Sequence, residues 1–144
     1  MKSTILITLL IFSFSVNAKT NYGVALVSEV VSVYDADTFR VNIKGWPAVV
    51  GLNMPIRVNG IDAAEIRGKC LKEKALAKQA RLFTVNFLKS GTVELHNIKR
   101  GKYFRFAADV YVDGKSLGDA LIKAGHARFY DGKSKREGWC LNGK

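Results

Sequence analysis

The chain has 144 residues, of which 23 are Lys or Arg and 12 are Asp or Glu, giving a formal net charge of +11. This length suffices for one domain with a real core and excludes two large lobes. The basic excess indicates a surface that attracts polyanions, either nucleic-acid phosphates or an anionic membrane, and the charge alone does not distinguish between them or exclude a basic surface without a partner.

Residues 1–18 are predicted to be a secretory signal peptide. A lysine at position 2 precedes an uncharged apolar run over residues 5–16, which is short for a membrane span. Val16-Asn17-Ala18 fits a cleavage site after Ala18. We therefore expect a secreted or periplasmic protein without a membrane span after cleavage, with residues 19–144 as a single domain. An uncleaved membrane anchor is the alternative.

The next segments carry strand signals. Residues 24–33 are apolar and β-branched, and residues 38–43 alternate apolar with polar side chains, so both are predicted strands. Residues 44–55 contain two prolines and two glycines, which predict a turn or a loop with a short strand in it. Residues 56–61 resume an extended segment.

A long helix is predicted over residues 71–88, where apolar residues follow helical spacing and Ser90-Gly91 ends the pattern. The residues that define this apolar face are Leu76, Ala80, Phe83 and Phe87. Basic side chains occupy the opposite face, so we expect this helix to pack against the rest of the domain through one side only.

Two more strands are predicted after the helix, over residues 92–98 and 105–112, separated by a basic loop. An Asp-Gly turn signal at positions 113 and 114 closes the second strand. Ser116 and Asp119 resemble a capping box in front of a short helix over residues 117–124, which ends before Gly125.

These elements predict a mainly β fold with helices, of the α+β class. About five strands, with a long helix between strands 3 and 4 and a short helix near the C-terminus, are typical of a five-stranded β-barrel of the oligonucleotide-binding (OB-fold) type. The chain has no internal repeat and no low-complexity linker, which again indicates one domain.

Cys70 and Cys140 are the two cysteines of the chain. An even count in an exported protein predicts one disulfide, whereas two free thiols would be expected in a reducing cytosol. The bond would close a loop of about seventy residues, stabilise the fold by roughly 4 kcal/mol in the chain-entropy model, and tether the C-terminal tail. A zinc site is disfavoured because no pair of histidines lies near these cysteines.

Carboxylates cluster at two strand boundaries, with Asp35 and Asp37 in the first cluster and Asp62 and Glu65 in the second. Such hard oxygen ligands suit Ca²⁺ or Mg²⁺, which need several of them. The alternative is that these residues form turns or pair with surface lysines, since spacing alone does not show that the two clusters meet.

Three stretches of this chain resemble the staphylococcal-nuclease-like family, also called thermonucleases. They are YDADTFRV, IRVNGIDAAE and KYFRFAADVYVDGKSLGDALIKAGHA, in the family's order and rough spacing, and the resemblance covers residues 27–130. It implies a five-stranded barrel with helices, dependence on calcium, and hydrolysis of DNA and RNA phosphodiesters to 3′-phosphate ends.

The resemblance also implies a metal site. Asp37 and Asp62 match the family's calcium-ligating aspartates, and Ala63 stands where a backbone carbonyl completes the ligand set. Glu65 matches the glutamate that activates water, as base or as orienting group. Asp35 is interpreted as the turn residue of the first pair, with metal binding as the alternative.

Arg57 and Arg105 match the two arginines that clamp the scissile phosphate. Guanidinium groups suit this role because they bind phosphate oxygens bidentately, which a lysine cannot do. Lys102 and Tyr103 match the loop that contacts the nucleotide. The family's usual glycine before the second arginine is Phe104 here, so the conformation of this loop is expected to differ.

The leading hypothesis is therefore an exported calcium-dependent nuclease that acts on DNA, RNA or both, as a monomer without a stable protein partner. A non-catalytic nucleic-acid-binding barrel is the main alternative, and a cationic protein that binds envelope polyanions is a third. Metal-free RNA cleavage by His96 and His126 is a further alternative, disfavoured because each lies in a pattern typical of a structural or exposed residue.

Overall fold

The computed structural model describes residues 21–133 and 138–140, so the predicted signal peptide lies outside the described residues. In chain order the strands are β1 (Ala25–Asp35), β2 (Thr38–Ile43), β3 (Met54–Val58), β4 (Ile61–Ala63), β5 (Val93–Arg100), β6 (Phe106–Val112), β7 (Lys115–Ser116) and β8 (Ala127–Phe129). The helices are α1 (Ala48–Gly51), α2 (Leu71–Leu88) and α3 (Leu117–Lys123). No helix within the described ranges is long and apolar enough to cross a membrane.

In the described part of the chain, five strands close a barrel. Antiparallel pairing gives the order β3-β2-β1-β5-β6, and a parallel pairing of β3 with β6 joins the two ends of this sheet. β7 pairs antiparallel with the end of β6, while β4 and β8 form a separate two-stranded sheet. The predicted five-stranded barrel of the OB-fold type with a long and a short helix is confirmed.

The barrel interior is filled by the alternate residues of its strands. Phe39, Val41, Ile56, Leu95 and Val110 are fully buried there, as expected for strands whose successive side chains point to opposite faces. The alternation seen in the sequence therefore marks the interior correctly, and the polar residues between these positions face outward.

Helix α2 has the predicted bounds and packs through the predicted face, but smaller residues lie deepest in the contact. Its buried residues include Ala77, Ala80 and Thr84, whereas Phe83 and Phe87 are half-buried and pack against the core. Small side chains allow the helix to approach the barrel closely. As a result the helix covers the turn between β1 and β2.

Two predicted segments differ from the structure. Residues 48–51, expected in a turn or a short strand, form the single helical turn α1, which begins after Pro47 and is held by the Pro47 carbonyl. Residues 56–61 are not one extended segment, because Gly60 adopts a φ of 74° and turns the chain out of the barrel between β3 and β4. This turn brings β4 beside β8.

The strand predicted to end at residue 98 continues to Arg100. A register irregularity between His96 and Lys99, with a φ of 50° at Asn97, allows β5 to bend and to resume its pairing with β6. The predicted cap of α3 is present, since the Ser116 hydroxyl accepts a hydrogen bond from the Asp119 amide at 3.1 Å.

The predicted disulfide joins Cys70 to Cys140, with 6.0 Å between their Cα atoms. Cys70 also precedes α2, where its sulfur accepts a hydrogen bond from the Glu73 amide. The bond therefore connects the start of α2 to the C-terminal segment that includes Trp139.

Candidate active site

The turn between β1 and β2 consists of Ala36 and Asp37, and it is buried. The exposed fractions of these residues are 0% and 1%, although most turns lie at the surface. Helix α2 covers the turn, and the Thr84 hydroxyl donates a hydrogen bond to the Ala36 carbonyl at 2.8 Å. The Asp37 carboxylate is therefore held inside the protein at one end of the barrel.

Arg57 of β3 joins two buried carboxylates. Its Nη1 atom lies 2.5 Å from Oδ1 of Asp37, and its Nη2 atom lies 3.8 Å from Oδ1 of Asp62. Nη2 also donates to the Ile61 carbonyl at 3.3 Å. The pairing of Thr38 with Arg57 across β2 and β3 brings the arginine beside the turn. The structure thus unites three of the predicted site residues.

Backbone and hydroxyl donors complete the environment of Asp37. The Ala63 amide donates to Oδ2 at 3.1 Å, and the Thr38 hydroxyl donates to Oδ1 at 3.0 Å. The Val58 amide donates to the Asp37 carbonyl at 2.9 Å. These bonds tie the turn to β3 and β4, so the carboxylates of Asp37 and Asp62 are held in one cluster.

Asp35 is a buried anchor at the end of β1, where it pairs with Thr38. Asp35 therefore opens the four-residue turn that Thr38 closes. Its Oδ1 atom accepts a hydrogen bond from the Ile66 amide at 2.9 Å. This bond fixes the backbone directly after Glu65, the predicted water-activating residue.

Burial governs the protonation of both aspartates. It raises the pKa of Asp35, against the opposing effects of the Ile66 amide and Arg57. Burial also raises the pKa of Asp37, and there the opposing effects come from Arg57, Thr38 and the Ala63 amide. Keeping both Asp35 and Asp37 charged therefore costs free energy unless a further cation lies beside them.

Glu65 is half-buried and shares a cavity of about 490 Å³ with Asp62. The cavity carries both signs of charge, because both basic and acidic side chains line it. Its lining residues include Asp62, Glu65, Arg67, Lys69, Glu73 and Trp139. Two of the predicted functional carboxylates therefore face one solvent-accessible space.

Arg105 precedes β6, and in the described part of the chain its guanidinium forms no ion pair. The parallel pairing aligns Arg57 with Ala107, so Arg105 lies two residues before the partner of Arg57. Because side chains alternate along a strand, this spacing favours a common face for the two arginines. Within residues 21–133 and 138–140, Arg105 forms no ion pair with the carboxylates of the cluster.

Lys102 and Tyr103 lie in the exposed loop between β5 and β6, where the exposed fraction of Tyr103 is 89%. Tyr103 and Phe104 have φ values of 58° and 51°, a left-handed conformation that costs energy in residues with a Cβ atom. Phe104 thus adopts the conformation that glycine favours, and the Arg100 guanidinium covers its ring at 4.3 Å. The loop holds Tyr103 out in solvent.

The two histidines lie apart from these contacts. His96 bonds to Glu94 at 2.8 Å and packs against the Tyr111 ring, while His126 packs against the Phe83 ring. Neither contacts a carboxylate of the cluster among the described residues, which favours the structural interpretation of both.

The donors of the cluster are suited to a hard cation. Asp35, Asp37 and Asp62 are all buried, and Arg57 pairs with the last two of them. Carboxylate and carbonyl oxygens are the ligands that Ca²⁺ prefers. Cys70, Glu73 and Cys140 also lie close together, but the disulfide leaves no thiolate for a metal.

Sequence reasoning did not find Trp139 as a site residue. Its indole Nε1 donates to Oδ2 of Asp62 at 3.1 Å. The sequence did contain a signal for this contact. Trp139 precedes Cys140, which bonds to Cys70, and Cys70 lies only eight positions after Asp62. The disulfide therefore brings Trp139 near Asp62.

The fold and the cluster define a small OB-type barrel with a candidate cation site and a guanidinium beside it. The family model for staphylococcal nuclease homologues matches residues 55–139. This match covers more than half of the chain, so the chain belongs to the staphylococcal nuclease homologue family.

Three fungal relatives are similar to this chain. "Probable endonuclease lcl3" of Pyrenophora tritici-repentis is 28% identical over 135 residues, which cover 78% of this chain and 50% of the relative. "Probable endonuclease LCL3" of Phaeosphaeria nodorum is 33% identical over 97 residues, covering 63% of this chain and 33% of the relative. "Probable endonuclease LCL3" of Pyricularia oryzae is 26% identical over 129 residues, which cover 76% of this chain and 50% of the relative. The chain thus matches half or less of each relative's length.

Proposed function

We propose that this protein is an exported calcium-dependent nuclease that hydrolyses phosphodiester bonds of DNA, RNA or both. The observation that carries this proposal is the convergence of Asp37, Asp62 and Arg57 at one end of the barrel, with 2.5 Å and 3.8 Å between the guanidinium and the two carboxylates. Membership of the nuclease family and relatives named as probable endonucleases support it. The net charge of +11 suits a polyanionic substrate.

Asp37 and Asp62 would hold the calcium ion, together with the Ala63 carbonyl and water. Ca²⁺ takes six to eight oxygen ligands, so about half would come from the protein. A bound divalent ion polarises a phosphoryl oxygen and offsets the negative charge that repels an attacking water.

Arg57 and Arg105 would bind the phosphate. Charge builds on the equatorial oxygens during in-line attack, and two guanidinium groups can match these oxygens with paired hydrogen bonds. Arg57 is preorganised for this role, because Asp37 and the Ile61 carbonyl already fix its orientation. Lys102 and Tyr103 would contact the neighbouring nucleotide, where an exposed ring can stack on a base.

Glu65 would accept or orient the proton of the attacking water. The water oxygen bonds to phosphorus and its proton passes toward the Glu65 carboxylate. The bond from phosphorus to the 5′ oxygen breaks, and this oxygen takes a proton from solvent, which leaves a 3′-phosphate and a 5′-hydroxyl. The bond from Asp35 to the Ile66 amide holds the backbone beside Glu65 and supports this assignment.

Export is part of the proposal. The disulfide between Cys70 and Cys140 suits an oxidising compartment, either the periplasm or the medium. We further propose that the mature protein acts as a monomer, without a stable protein partner, after the signal peptide at residues 1–18 is removed.

A cleavage assay tests the proposal. Purified mature protein is incubated with single-stranded DNA, duplex DNA and RNA, in calcium or in chelator, beside Asp37→Asn and the exposed control Asp119→Asn. Cutting that requires calcium and is lost only in Asp37→Asn supports the nuclease. Cutting that persists in chelator would support the histidine hypothesis instead, and binding without cutting would support the passive barrel.

A further inference from the structure

Residues 138–140 lie directly against the candidate active site. Cys140 is bonded to Cys70 at the start of α2, and Trp139 precedes it. The indole Nε1 of Trp139 donates a hydrogen bond to Oδ2 of Asp62, with 3.1 Å between the two atoms. A residue 77 positions away in the chain thus holds one oxygen of a proposed calcium ligand.

Arg128 holds the indole ring from its face. The Cζ atom of Arg128 lies 3.9 Å from the ring centroid of Trp139, and its Nη1 donates to the Gly138 carbonyl at 3.3 Å. Arg128 is also the residue that pairs with Asp62 across β4 and β8. The ring is therefore held by a covalent tether, by a cation–π contact and by its hydrogen bond to the aspartate.

The two oxygens of Asp62 consequently have different surroundings. Trp139 holds Oδ2, whereas Oδ1 lies 3.8 Å from Nη2 of Arg57, whose guanidinium also pairs with Asp37. The terminal torsion of an aspartate is broad, so an isolated carboxylate samples many orientations. A donor that fixes Oδ2 removes this freedom and presents Oδ1 toward the cluster.

We propose that Trp139 is a positioning residue that orients the Asp62 carboxylate for calcium, and that the disulfide and Arg128 hold Trp139 in place for this purpose. The proposal rests on the proposed function in one respect, namely that Asp62 is a calcium ligand. Hydrogen-bond partners of metal ligands commonly change metal affinity by 10- to 100-fold when they are removed, because the ligand must then be ordered during binding.

Calorimetric calcium titration of the mature protein tests this role. Trp139→Phe removes the indole N–H and keeps an aromatic ring over Arg128, so we expect calcium affinity to fall by about tenfold or more. Trp46→Phe is the matched control, because Trp46 packs against the Phe106 ring with 5.5 Å between centroids, whereas the indole that donates to Asp62 is that of Trp139. We expect this control to bind calcium as the wild type does.

A second variant separates positioning from general stability. Replacing both Cys70 and Cys140 by serine frees the segment that carries Trp139, while serine still caps α2. If the disulfide acts through the indole, calcium affinity falls in this variant, and adding Trp139→Phe lowers it little further. If the disulfide and the indole acted independently, their separate reductions in calcium affinity would instead multiply in the combined variant.

Fluorescence provides a readout that does not depend on activity. In the Trp46→Phe protein, Trp139 is the remaining tryptophan, and we expect its emission to change on calcium binding. Calcium affinity in Trp139→Phe equal to that of the wild type would overturn the proposal and leave the proposed function intact. Absence of calcium binding by the wild type would overturn both.

Discussion

The guanidinium of Arg57 and the carboxylate of Asp37 form a buried ion pair, with 2.5 Å between Nη1 and Oδ1. Asp37 belongs to the β1–β2 turn and Arg57 to β3, so the pair ties the turn to the barrel wall. Both groups are largely withdrawn from water, and removal of one partner leaves the other charged without compensation. The stability of the metal-free protein therefore depends on this pair.

Arg57→Ala should lower the free energy of unfolding in chelator by about 3 kcal/mol or more, because Asp37 and Asp62 lose their shared cation. Urea denaturation measures this change, and calcium should restore part of the loss. Arg40→Ala is the control, since Arg40 is exposed and donates to the Asn53 carbonyl. A loss in Arg57→Ala no larger than in the control would contradict the prediction.

Asp35→Asn should stabilise the metal-free protein at neutral pH. Burial raises the pKa of Asp35 above its ordinary value of 3.8, so the folded state binds the proton more tightly than the unfolded state. The protonated Asp35 side chain contributes favourably to the free energy of unfolding. This contribution is fully present below a pH of 3.8 and is lost as the pH rises through the pKa of Asp35 in the folded state. Asparagine keeps the acceptor for the Ile66 amide without the charge.

Urea denaturation of wild type and Asp35→Asn in chelator, from acidic to neutral pH, checks this prediction. The advantage of the variant should grow with rising pH and should disappear at the acidic end. An advantage that is independent of pH would show that the buried charge of Asp35 is not its cause.

Calcium should stabilise the wild type and should not stabilise Asp37→Asn. A ligand that binds only the folded state at a hundredfold excess over its Kd raises the free energy of unfolding by about 2.7 kcal/mol. Thermal denaturation with and without calcium measures the shift in Tm. Asp119→Asn, a change at an exposed acid in α3, should keep the full shift. An equal shift in Asp37→Asn would remove Asp37 from the proposed ligands.

Arg105→Ala should reduce kcat by about 100- to 1,000-fold, the usual loss when one donor to the transition state is removed. Its stability should change little, because the Arg105 guanidinium forms no ion pair within residues 21–133 and 138–140. Steady-state cleavage kinetics beside Arg40→Ala, which removes the same charge elsewhere, separates a specific role from general electrostatics. A parallel, small loss in both variants would argue against phosphate binding by Arg105.

Replacing Cys70 and Cys140 together by serine should lower the free energy of unfolding by about 4 kcal/mol, because the sequence separation of 70 closes a long loop. Urea denaturation under oxidising conditions measures the difference. The wild type treated with a dithiol reductant should match the variant, and retention of full stability by either would contradict the prediction.

The sequence by itself determined most of the secondary-structure elements of this protein. The bounds of α2 were predicted correctly, and the strand alternation marked buried residues such as Phe39 and Val41. These signals are local, because the period of a pattern and the residues that end it act within a few positions. The same local signals failed at α1 and at Gly60, where a proline and a positive φ redirect the chain.

Only the tertiary structure decided how the candidate site is assembled. Arg57 meets Asp37 across 20 positions of chain, Asp35 anchors Ile66 across 31, and Trp139 reaches Asp62 across 77. No local pattern encodes such contacts, since they arise when the barrel closes and the disulfide draws the tail to α2. The sequence contained the acids and the arginine, but barrel closure and the tethered tail determine which of their atoms meet.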